Sequence, residues 1–122
     1  MANLVERLLL AAVVTELAGC GLPGPAHDEP LPTVAAVVDM GFTSFAPDIV
    51  RIHAGQTVEW RNTAFITHTV TSDVSGSERP LDSGDLLAGN VYLHTFMVPG
   101  TYKYFCRHHE DDGMVATVVV DP

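Results

Sequence analysis

The residues with the most chemistry in this chain are gathered in one short stretch: Cys106-Arg107-His108-His109-Glu110-Asp111-Asp112-Gly113-Met114. The spacing is Cys-x2-His-x4-Met. A thiolate, an imidazole and a thioether on one loop can close round a single point, and together they suit a transition metal. A fourth donor must come from elsewhere, and His68 in Thr67-His68-Thr69-Val70 is the candidate. Two His, one Cys and a weakly held Met are the donor set of a blue copper centre. The thiolate suits Cu(I), the imidazoles suit Cu(II), and a fixed compromise geometry lets one electron move with little rearrangement. His108 competes with His109 on composition. Adjacent residues of a tight loop point apart, and the x2 spacing favours His109. His27, His53 and His94 read as residues of tail or strand that bind no metal.

These donors need a rigid frame, and the sequence around them is rich in β-formers. Thr33–Val38, Asp48–His53, Gln56–Arg61, Thr67–Ser72, Asn90–Val98, Thr101–Cys106 and Met114–Asp121 read as strands. In the third, Val58 and Trp60 alternate with Thr57, Glu59 and Arg61, so one face is buried. In the sixth, Tyr102, Tyr104 and Cys106 share a face. Ala54-Gly55 and Pro99-Gly100 mark turns, and Asp73–Gly89 reads mostly as loop. No helix of length is visible after residue 32. Short strands with frequent turns predict an all-β, antiparallel two-sheet sandwich built on one core.

Phe45-Ala46-Pro47, Gly55-Gln56-Thr57-Val58-Glu59-Trp60-Arg61-Asn62, His68-Thr69-Val70, Phe96-Met97-Val98-Pro99-Gly100-Thr101-Tyr102 and the Cys106–Met114 loop run along the whole domain. Through them residues 41–121 resemble plastocyanin-like cupredoxins of the amicyanin, pseudoazurin and halocyanin type. The resemblance implies a Greek-key β-sandwich of about seven to eight strands and one type 1 copper ion as cofactor. It places His68, Cys106, His109 and Met114 as the ligands. It also implies one-electron carriage between redox protein partners, a donor and an acceptor. Three positions depart from the family: His108 stands where Pro is frequent, Ala116 where Gly is usual, and Phe105 where photosynthetic plastocyanins often carry Tyr.

The N-terminal fifth has a different character. Arg7, the apolar run Leu8–Val14 and Leu17-Ala18-Gly19-Cys20 follow the order of a secretory signal. Leu-Ala-Gly-Cys resembles the bacterial lipoprotein box. Residues 1–19 are therefore expected to be a lipoprotein-type signal peptide, with Cys20 as the lipidation site. Residues 20–32 carry Pro23, Pro25, Pro30 and Pro32 and read as an extended tether, which leaves 33–122 as the domain. The expected location is extracytoplasmic, in the periplasm or on the outer face of the cell membrane, with membrane attachment through lipid on Cys20.

Net charge is −9, from 15 acidic and 6 basic residues. That excess excludes nucleic-acid binding, which needs clustered Lys and Arg. It also predicts that the redox partner which the resemblance implies, such as a cytochrome or a copper enzyme, has a basic docking face that meets Glu110-Asp111-Asp112. The domain is expected to be a monomer. No Ser-His-Asp, Walker or dinucleotide pattern occurs, and a lone copper of this type has no open position for substrate, so no enzyme activity is expected. Two other readings remain at this stage: a copper-binding or delivery protein with no electron-carrier role, and a metal-free adhesion sandwich.

Overall fold

Strand β4, Thr57–Asn62, shows why this chain makes a sandwich. Val58 and Trp60 are fully buried while Arg61 is exposed, the two-residue period of a sheet with one face inward. The computed structural model describes residues 32–72 and 80–122. The expected signal peptide and most of the tether lie outside the described residues, as do positions 73–79.

Among the described residues, seven strands form two sheets. The first has the order β2-β1-β4-β5, from β1 (Val34–Met40), β2 (Phe45–Ala46), β4 and β5 (Val91–Thr95). The second has the order β3-β7-β6, from β3 (Ile49–His53), β6 (Gly100–Phe105) and β7 (Val115–Asp121). The chain runs from the first sheet (β1, β2) to the second (β3), back to the first (β4, β5) and again to the second (β6, β7), the crossing between sheets that marks a Greek-key sandwich. The core lies between them. Val38, Met40, Val58 and Trp60 face inward from one side, and Tyr104, Val118 and Val120 from the other. Trp60 meets Tyr104 edge-on with centroids 5.6 Å apart, a geometry that adds about 0.5–1.5 kcal/mol beyond area burial.

Two expectations need correction. The sandwich is not wholly antiparallel: β1 pairs with β4, and β3 with β7, in parallel. The chain leaves β1, crosses to the other sheet for β3 and returns for β4, and two reversals restore its direction. Second, Thr67–Ser72 is not a strand, although His68 and Thr71 each make isolated bridges. The N–H groups of this segment alternate between two partners. Those of His68, Val70 and Ser72 turn to residues 81–86, and those of Thr69 and Thr71 to residues 105–106. Two of the five end on side chains, Ser83 Oγ and Cys106 Sγ, so no continuous backbone ladder forms. The two-residue β2 escaped the sequence reading because so short a run has no period to detect.

Candidate metal centre

The loop between β6 and β7 begins where the inward alternation of β6 ends. Tyr102, Tyr104 and Cys106 occupy the same face, and Cys106 is completely buried. Beyond it the chain turns back on itself through short hydrogen bonds. His109 N–H donates to Cys106 O at 3.1 Å, Asp112 N–H to His109 O at 3.1 Å, and Met114 N–H to His109 O at 3.1 Å. Cys106 N–H donates to Met114 O at 3.1 Å and closes the loop. Gly113 takes a φ of +78°, which side chains with a Cβ rarely adopt, and this turn delivers Met114 to the buried side.

His68 reaches the same point from outside the loop. Its backbone is pinned to Leu86 in both directions, at 3.1 and 2.7 Å. Its Nε2 lies 2.6 Å from Gly41 O. A carbonyl can only accept, so Nε2 carries the proton and Nδ1 keeps its lone pair. That Nδ1 lies 3.6 Å from Cys106 Sγ, and His109 Nδ1 lies 3.5 Å from the same sulfur. Burial pushes the His68 imidazole below its ordinary pKa, which keeps it neutral and available as a donor.

The three donor atoms of His68, Cys106 and His109 all lie within 4.8 Å of one another. A tetrahedral first-row metal with sulfur at about 2.3 Å and nitrogen at about 2.05 Å would set S···N near about 3.6 Å. The spacings match that figure, so the residues present fit a single such ion. Thr69 N–H donates to Sγ at 3.4 Å, and Thr69 Oγ1 accepts the Arg107 N–H at 2.9 Å. Neither was singled out from sequence; the signal available was a Thr directly after a candidate ligand. His108 turns away, with Nε2 2.8 Å from Asp85 Oδ1. Arg107 pairs with Asp82 at 3.4 Å on the same outer side. Met114 is fully buried beneath the loop. His53 and His94 lie on β3 and β5, outside the three-donor group. Glu110, Asp111 and Asp112 are exposed on the loop between His109 and Met114. Cys20 and His27 lie outside the described residues.

Residues 32–121 match the family described as copper binding proteins, plastocyanin/azurin family. The chain is 38% identical over 95 residues to plastocyanin of Scenedesmus fuscus, an alignment covering 72% of this chain and 97% of that protein. It is 32% identical over 90 residues to the chloroplastic plastocyanin of Pisum sativum, covering 66% of this chain but only 54% of that one. Among solved structures, amicyanin from Paracoccus versutus superposes with a TM-score of 0.64 at 30% identity, covering 75% of this chain and 86% of its own. With a buried Cys, two His on one sulfur and a Met-closed loop set in a Greek-key sandwich, the chain belongs to the plastocyanin/azurin family of copper-binding proteins, and its cofactor is one type 1 copper ion.

Proposed function

We propose that this protein is a blue copper electron carrier that moves one electron at a time between extracytoplasmic redox proteins. His68, Cys106 and His109 are assigned as the close ligands and Met114 as the weak axial one. The observation that carries this reading is the convergence of His68 Nδ1 and His109 Nδ1 on Cys106 Sγ at 3.6 and 3.5 Å. When bound, copper supplies a Cu(II)/Cu(I) couple. The protein's part is to hold the donors still: Gly41 O orients His68, Thr69 N–H steadies the sulfur, and the backbone bonds of the loop fix His109 and Met114. Donors held in one geometry suit both oxidation states and keep rearrangement small.

A delivery role needs donors that a second protein can reach and strip. Cys106 and His68 are fully buried, which favours the carrier reading. Half-buried His109 is the natural electron port. Phe42, Phe65 and Leu87 are exposed on segments that adjoin Gly41, Ile66 and Leu86 around His68, and they support an apolar docking rim. The acidic triplet beside His109 supports a partner with a basic face. Lipid attachment through Cys20, after removal of residues 1–19, would keep the carrier at the membrane surface, and a tether over 20–32 would give the domain reach. Location in the periplasm or on the outer membrane face, a monomeric state and the absence of enzyme activity complete the proposal.

Adding Cu(II) to the purified protein tests it. The expected result is an intense visible band together with a reversible one-electron wave in voltammetry. A colourless protein, or one that releases copper on each reduction, would refute the carrier role.

A further inference from the structure

Next to the metal centre lies a pair of buried hydroxyls that supplies no ligand. Thr71 Oγ1 donates to Thr69 Oγ1 at 3.0 Å, and Thr69 Oγ1 in turn accepts the Arg107 N–H at 2.9 Å. Thr69 is fully buried and Thr71 nearly so. We propose that Thr71 is a positioning residue for the metal centre, acting through Thr69 to fix the Cys106–Arg107 segment against the chain that carries His68. The proposal rests on the copper reading above.

The geometry gives Thr71 the leverage. Its own backbone is fixed by a reciprocal pair with Phe105, Thr71 N–H to Phe105 O at 3.0 Å and Phe105 N–H to Thr71 O at 2.9 Å. Its hydroxyl is therefore presented from a fixed platform. A hydroxyl oxygen has two lone pairs and one proton. Donation from Thr71 occupies one lone pair of Thr69 Oγ1 and leaves the other facing the Arg107 N–H. In this way Phe105, Cys106 and Arg107 are each held by residues 69–71: the first by a backbone pair, the second by Thr69 N–H on the sulfur, the third by the oriented hydroxyl. Without the Thr71 hydroxyl, Thr69 has lost the contact that selects its rotamer, and the residue after Cys106 loses an aligned acceptor.

The ordinary alternative is that the two hydroxyls merely satisfy each other in the core. The protein contains an internal control for this. Thr57 Oγ1 and Thr95 Oγ1 are 2.7 Å apart across β4 and β5, a paired hydroxyl couple that touches neither Cys106 nor its neighbours.

The test compares Thr71→Val, Thr71→Ser and Thr57→Val by two readouts. One is the exchange rate of the Arg107 amide in the copper-free protein, followed by NMR. The other is the visible spectrum after loading with Cu(II). Thr71→Val should speed Arg107 exchange about tenfold, the equivalent of one net hydrogen bond, and should change the relative intensities of the visible bands. Thr71→Ser should restore both, and Thr57→Val should move neither. Equal effects of Thr71→Val and Thr57→Val, or no effect of Thr71→Val, would overturn the proposal. Thr71→Ala serves in the same comparison where Thr71→Val does not fold. If the unmodified protein shows no colour with Cu(II), the copper reading falls, yet the exchange arm still decides whether Thr71 holds Arg107.

Discussion

The metal centre has two halves that are built in opposite ways. The loop from Cys106 to Met114 closes on itself through hydrogen bonds between residues at most eight positions apart, and its outer surface is exposed. The His68 half has almost no local support. It is held by Gly41, Leu86 and Cys106, partners 18 to 38 positions away, and it is fully buried. The loop is a local device that needs only a platform. The His68 half is part of the sandwich, so its position is set by the whole fold. The exposed stretch between the two buried ends of the loop, residues 107–113, can therefore move or be replaced with little disturbance of the core, and the buried half cannot.

Removing the sulfur that both halves share is the largest perturbation. Cys106→Ser should abolish the intense visible band, because charge transfer to Cu(II) requires the thiolate. The sandwich should survive, since a buried hydroxyl can still accept the Thr69 N–H. An unchanged spectrum would remove Cys106 from the site. The next test separates the halves. His109→Ala and His68→Ala should each destroy the normal centre, but only the first leaves a gap that opens to solvent. Added imidazole should restore colour to His109→Ala and not to His68→Ala. His108→Ala should keep its colour, because His108 faces Asp85. Rescue of both ligand variants alike would end the contrast between an open and a closed half.

The same contrast explains what could be seen in the sequence. Cys106, His109 and Met114 could be nominated together because a local loop carries its candidate ligands at fixed spacing, and the structure brings the Cys106 and His109 donor atoms together. His68 could be nominated but not placed, since Gly41 and Leu86 come to it only through folding. The alternation at Val58 and Trp60 gave β4 directly. The segment from Thr67 to Ser72 has the composition of a strand, and its N–H groups do turn alternately to two sides. What composition hides is that two of its partners are a serine hydroxyl and the cysteine sulfur. The parallel pairings of β1 with β4 and β3 with β7 were not legible, because strand direction depends on how often the chain changes sheet.

Below the buried half lies Tyr104, two residues before Cys106 and on the same face. Its hydroxyl and the Trp60 indole N–H are both buried without a well-aligned hydrogen-bond partner. Burial pushes the Tyr104 phenol up to about 12, only partly offset by the neighbouring indole. In the unfolded chain the phenol titrates near about 10. Between those values the unfolded state has released its proton and the native state has not, so stability falls as pH rises. Two units correspond to about 3 kcal/mol lost by pH 12. Denaturant melts of the wild type and Tyr104→Phe at pH 9 to 12 should converge at the low end and diverge at the high end, with the Phe variant the more stable. Parallel curves would mean that the phenol is wetter than the fold implies.

The smallest effect is expected where neither half is touched. Arg51 on β3 meets Asp121 on β7 through two hydrogen bonds, Nε to Oδ2 at 2.7 Å and Nη2 to Oδ1 at 3.0 Å. Hydrogen bonding to the Arg51 guanidinium holds the Asp121 carboxyl below its ordinary range. A depressed carboxylate contributes stability that is fully present above its unfolded pKa, near about 4, and is lost as pH falls through the lower native value. The pair is exposed, so water and salt screen it and its contribution is small. Asp121→Asn should lower the melting temperature slightly at neutral pH, and the difference from wild type should vanish in strong acid and shrink in high salt. The visible spectrum should not change, because the pair shares no partner with the loop or with His68. A spectral change in Asp121→Asn would show that strain on β7 is transmitted along the strand to Met114, and the loop would then be less independent of the sandwich than its local hydrogen bonds imply.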